Sequence, residues 1–164
     1  MTKRVAACRH TLIAATLAAL LPLAARADEG GSDAKVLKWD TMAAVVAPFL
    51  GAAGTIDGVP AGGAPWQLTS GKGELRADGR LEVRVRGLVL VTPGTNPFTS
   101  FVATVTCLGK VPVQTGPFPT GPEGNADIQE QLDLPSPCFA PAVLVGAPPN
   151  AARPFGAWFA ATGR

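Results

Sequence analysis

The chain has 164 residues, of which 47 % are hydrophobic and 16 % charged, with 19 glycines, 16 prolines, three cysteines, one histidine and no tyrosine. That length suits one domain built round a single core. Fourteen Lys and Arg against twelve Asp and Glu give a net charge of +2, too little for the basic field that nucleic acid or an anionic membrane attracts.

Residues 1–27 read as a cleavable export signal. Lys3, Arg4 and Arg9 make a basic start, 11–21 is uncharged, and Ala25-Arg26-Ala27 sets small residues two apart before Asp28, the order found in a secretory leader. The uncharged run covers about 16 residues and includes Pro22, short of the roughly 20 that span hydrocarbon. Cys8 precedes that run, the wrong order for lipid attachment, and no Arg-Arg pair marks the twin-arginine route. Cleavage after Ala27 removes His10, Cys8 and four cations, leaving ten Lys and Arg against twelve Asp and Glu in 28–164. The mature chain is then mildly acidic and lacks histidine, which excludes serine or cysteine nucleophiles served by an imidazole base. Residues 28–164 are expected to form a single β domain, with 28–35 flexible.

Glycine and proline supply 34 of those 137 residues, a share bordering on disorder. Their spacing separates short runs of alternating apolar and polar residues, the pattern of many short strands. The first predicted strand is 36–42, and 42–50 reads as either strand or short helix. Gly62-Gly63-Ala64-Pro65 is a turn entering a strand at Trp66; without Gly-Lys-Ser/Thr or a following helix it is no phosphate cradle. Further strands are predicted over 66–76, 81–91, 101–110, 126–134, 139–145 and 156–161. With no long amphipathic helix, the fold class is all-β, an antiparallel sandwich of about 7–8 short strands with proline- and glycine-rich loops.

Parity selects the turn between 66–76 and 81–91. A two-residue Asp78-Gly79 loop pairs Arg76 with Leu81 and mixes charge with apolar residues on one face. A three-residue Ala77-Asp78-Gly79 loop, with Gly79 left-handed in a bulge, pairs Leu75 with Leu81 and Gly73 with Val83, gathering the apolar side chains. The other face then carries Lys72, Glu74, Glu82, Arg84 and Arg86. Opposed carboxylates such as Glu74 and Glu82 are what a retaining glycosidase uses. Here Lys72, Arg84 and Arg86 are neighbours that keep both ionised, and nothing supplies the apolar pocket that raises one pKa. The face reads as a solvated charged surface.

Cys107 and Cys138 remain as an even pair and predict one disulfide. Closing the 31-residue separation stabilises the fold by about 3–4 kcal/mol in the chain-entropy model. Without Cys-x-x-Cys or histidine the pair makes neither a redox motif nor a zinc site. Glu123, Asn125 and Asp127 alternate in a polar turn but lack the Asp-x-Asp-x-Asp-Gly calcium pattern, so no metal or other cofactor is expected. Asp40, Asp57, Glu74, Glu82, Asp127, Glu130 and Asp133 show no spacing that favours a carboxylate-only hydrolase, and no catalytic residue is assigned.

Trp66 and Trp158 lie in predicted strands and are expected in the core, leaving Trp39 as a candidate ligand-contact aromatic. The tracts 92–100, 111–125 and 146–155 exceed ordinary hairpin loops and sit where a rigid sandwich carries recognition. Phe118, between Pro117 and Pro119, is the second candidate contact.

Gly62-Gly63-Ala64-Pro65-Trp66, the run from Gly73-Glu74-Leu75-Arg76 through Ala77-Asp78-Gly79 to Val85-Arg86-Gly87-Leu88, Cys107 with Pro135-Ser136-Pro137-Cys138, and Gly156-Ala157-Trp158-Phe159-Ala160 resemble uncharacterised exported bacterial β-sandwich proteins. The resemblance covers most of 28–164, implies an exported β domain and brings no activity or site residues. The expectation is a periplasmic or extracellular, non-catalytic binding or structural protein. Its partner is a glycan or an envelope protein, with no nucleic acid and no membrane span after cleavage. Two alternatives stand: a carboxylate-dependent hydrolase acting on extracellular glycans, and an inhibitor or stabilising partner presenting a rigid 111–125 loop.

Overall fold

A computed structural model describes residues 34–162; the expected leader and residues 28–33 lie outside the described residues. In chain order the strands are β1 (Lys35–Trp39), β2 (Ala43–Ala44), β3 (Trp66–Gln67), β4 (Ser70–Arg76), β5 (Arg80–Arg86), β6 (Val89–Leu90), β7 (Ser100–Thr106), β8 (Val113–Gln114), β9 (Phe118–Pro119), β10 (Ala126–Gln131), β11 (Ala142–Ala147) and β12 (Ala157–Ala161). Seven have five or more residues, each overlapping one predicted strand, and every ladder is antiparallel. Lys35 opens β1 opposite Arg76, so that end of the segment expected to be flexible is paired.

The first sheet has the order β1-β4-β5-β10, the second β2-β12-β11-β7-β8 with β9 also on β7, and β3 pairs β6 separately. Leu75, Leu81, Val83, Val85 and Ile128 from the first sheet share one buried cluster with Phe101, Ala103, Val105, Val143 and Val145 from the second, which makes a sandwich. The three-residue turn is present: Leu75 pairs Leu81, Gly73 pairs Val83, and Gly79 has φ +91°. A side chain there would also collide with the Leu132 carbonyl.

The predicted strands 66–76 and 81–91 are each interrupted, near Thr69 and Gly87, yet keep one register from Leu75–Leu81 to Trp66–Leu90. Gly87 sits at φ +66° against Thr69, whose N donates to Arg86 O at 3.0 Å. The hairpin bends at this point and its far end leaves the first sheet. No helix forms over 42–50; β2 and a turn precede a 3₁₀ segment at Gly51–Gly54. Val45 and Val46 are β-branched and Pro48 disfavours helical geometry at Ala47. Val45 is instead held as extended chain, its N donating to Phe159 O and its O accepting from Trp66 N, each at 2.8 Å.

The Cys107–Cys138 disulfide is formed, with Cα atoms 5.0 Å apart, and staples the end of β7 to the connection entering β11.

Candidate functional site

Two concave regions bear on function. One is the outer face of the first sheet, where Lys38, Glu74, Glu82 and Gln129 form one cross-strand row and Lys72, Arg84 and Asp127 the next, lining a pocket of about 200 Å³. Glu74 binds Lys35 Nζ at 2.6 Å and Arg76 at 2.8 Å. These donors, Lys35 first, hold its carboxyl below the ordinary value. Asp127 lies below its ordinary value too, chiefly through Arg86 at 2.8 Å and then Arg84 at 2.9 Å. The sequence reading assigned Lys72, Arg84 and Arg86 to the glutamates. The correction follows from β10 pairing with β5, which sets Asp127 opposite Arg84 and draws both arginines to it.

An acid–base pair needs proton affinities pushed apart, and two carboxylates stabilised as anions on an open face are not arranged that way. Asn125 and Asp127 are likewise committed, Asn125 Oδ1 accepting from Gly87 N at 3.0 Å and Asp127 holding the arginines. Among the described residues no three His, Cys, Asp or Glu side chains are grouped to hold a metal.

The other region is an apolar pocket of about 540 Å³ where the bent end of the hairpin meets the second sheet. The Trp66 and Phe159 rings stack with centroids 3.9 Å apart and planes 11° from parallel, and Phe98 adjoins both, at 6.1 and 5.1 Å. Each ring is brought by a different device. Trp66 arrives through the hairpin register, Phe159 on β12, and Phe98 on the 92–100 tract. Buried Asn96 fastens that tract: Oδ1 accepts from Phe98 N at 3.0 Å, and Nδ2 donates to Phe98 O at 2.8 Å and Gly121 O at 3.0 Å. Gly62 lies against the stack, and a Cβ there would stand 3.0 Å from the Phe159 ring. The rim opposite comes from the 146–155 tract, where Asn150 Oδ1 accepts from the N atoms of Ala152 and Arg153, both at 3.0 Å.

The two aromatics singled out from the sequence lie elsewhere. Trp39 is only 7 % exposed, its ring packed over Gly73, where a Cβ would come 2.6 Å from Cζ2. Bare glycine admits the indole into the core, where Trp39 keeps only an edge on the charged pocket. Phe118 is half-buried on β9, opposite Phe101 and packed against the core, because its flanking prolines lay it along β7. Trp66 and Trp158 are buried as expected. Phe159 fell in the predicted strand 156–161 without being singled out, Phe98 had no periodic signal of its own, and the clue was the pair of long tracts 92–100 and 146–155.

No family model matches the chain, and no curated protein or solved structure matches it. No helix among the described residues is long and apolar enough to cross a membrane.

Proposed function

We propose that this protein is an exported, non-catalytic binding module of the bacterial envelope or extracellular space, and that the aromatic pocket is its binding site. One observation carries the reading: the pocket's floor is built from the rigid sandwich, its rim from two long tracts, and no carboxylate lines it. Small-molecule sites have this apolar, preformed character and a volume of about 300–1,000 Å³. Glu74 and Asp127, carboxylates of the kind a glycan hydrolase requires, are on a different face and tied to cations. Export is supported by the leader pattern of 1–27 and by the disulfide, a bond that persists in oxidising compartments.

Intact mass of the exported protein should correspond to a start at Asp28 with two hydrogens fewer than the reduced chain. A thermal-shift screen of small molecules beside a glycan array should find stabilising ligands whose effect disappears in Ala152→Trp, which fills the exposed rim. Polysaccharide hydrolysis that persists in Ala152→Trp and is lost in Glu74→Gln overturns the reading in favour of catalysis.

A further inference from the structure

We propose that the pocket takes a small organic anion with an apolar body, an aromatic or aliphatic carboxylate or sulfonate, with its acid group on Arg153 and its body against Phe98 above the Trp66–Phe159 stack. The proposal rests on the binding-module reading and adds the chemistry of the ligand. Arg153 is the one ionisable side chain on the lining. Arg76, Arg84 and Arg86 all sit in ion pairs, whereas Arg153 has no carboxylate partner among the described residues.

Its backbone is fixed in advance. Asn150 and Arg153 exchange N–H to O bonds at 3.0 Å in both directions, and the Asn150 side chain caps the same turn. A charge-assisted bond to a guanidinium is the strong kind, matched in shape to a carboxylate or sulfonate. The lining offers a second donor. Trp66 Nε1 makes no hydrogen bond among the described residues, and Gly62 presents no side chain where a Cβ would stand 3.2 Å from that nitrogen. An apolar lining with spare donors and no acidic group selects an acceptor-bearing, negatively charged, mainly hydrocarbon ligand. A neutral sugar would set its hydroxyls against hydrocarbon and make no ion pair with Arg153.

The test uses two fluorescent probes of similar aromatic body, the sulfonate 1-anilinonaphthalene-8-sulfonate and the neutral N-phenyl-1-naphthylamine, with decanoate and decanol as competitors. The folded protein should bind the sulfonate at one saturable site, with decanoate displacing it far better than decanol. Arg153→Gln should weaken the sulfonate and decanoate at least tenfold, the scale of a lost charge-assisted bond. It should leave the neutral probe unchanged, and Arg153→Lys should recover part of the loss. Ala152→Trp should abolish binding of both probes while the thermal melt stays cooperative. Equal binding of both probes, unaffected by Arg153→Gln but lost in Ala152→Trp, overturns the anion and keeps the pocket. Binding of neither probe, or binding indifferent to Ala152→Trp, overturns both.

Discussion

The two sheets are made of similar strands and live in different surroundings. The first turns one face to the core and the other to water, so Leu81, Val83 and Val85 alternate with Glu82, Arg84 and Arg86. The second is covered on both sides. Val102, Thr104, Thr106, Ala142 and Leu144 point away from the first sheet and are still buried. Gln114 Nε2 ties Thr104 Oγ1 at 2.8 Å to Phe155 O at 3.0 Å, and Trp158 Nε1 donates to Gly54 O at 2.8 Å. Irregular chain thus serves as a third layer on one side of the sandwich, and the pocket opens at its margin. The aromatic pocket thus lies where loops are packed down, away from the sheet face that carries most of the charge.

Leu144→Ala against Arg84→Ala tests this contrast most severely. Both residues face outward by strand parity, yet the first should cost about 2–5 kcal/mol as a buried truncation and the second no more than about 1. Similar losses in urea unfolding would falsify the third layer. Cys138→Ser should remove about 3–4 kcal/mol. Since the bond joins chain next to β7 and β11, hydrogen exchange should quicken there first while β4 and β5 keep their protection. Thr106 Oγ1 is buried without a partner among the described residues, so Thr106→Val should raise stability by about 1 kcal/mol, the relief of an unsatisfied hydroxyl, read as a higher melting temperature.

The smallest effect concerns pH and belongs to the first sheet. Glu74 and Asp127 are held below their ordinary values in the folded state, so their stabilisation is complete above the usual carboxylate range near pH 4 and is lost as pH falls below it. Asp127→Asn should flatten the acid limb of the stability curve without altering its level change on Leu144→Ala. A steeper limb in Asp127→Asn would contradict the ion pairs.

This asymmetry explains what could be read from residues alone. Where one face is wet, period-two alternation set the 76–80 turn and its register down to Leu75–Leu81. Where both faces are covered, Ser100–Thr106 and Ala142–Ala147 were legible as strands but not in their pairing, and the covering segments had no pattern to announce them. The bend at Gly87 was invisible because Gly87-Leu88-Val89 continues an apolar strand until Thr69 is known to press on it. The disulfide was legible from cysteine parity. The pocket was not, since Trp66, Phe98 and Phe159 come from three unrelated stretches, and stacking depends on their meeting in space. The burial of Trp39 was hidden for the converse reason: its glycine partner lies on a neighbouring strand.

The uninterrupted register of the long hairpin gives the chain something like a reading frame. Trp66 faces Leu90 at one end only because three residues, and not two or four, turn the chain at the other. Loss of a single codon within Ser70–Arg76, with the turn kept, would slip every pair beyond it by one residue and set Val89 opposite Trp66. A change of length on the charged sheet, far along the hairpin, is therefore a place where inheritance can rewrite the wall of the aromatic pocket.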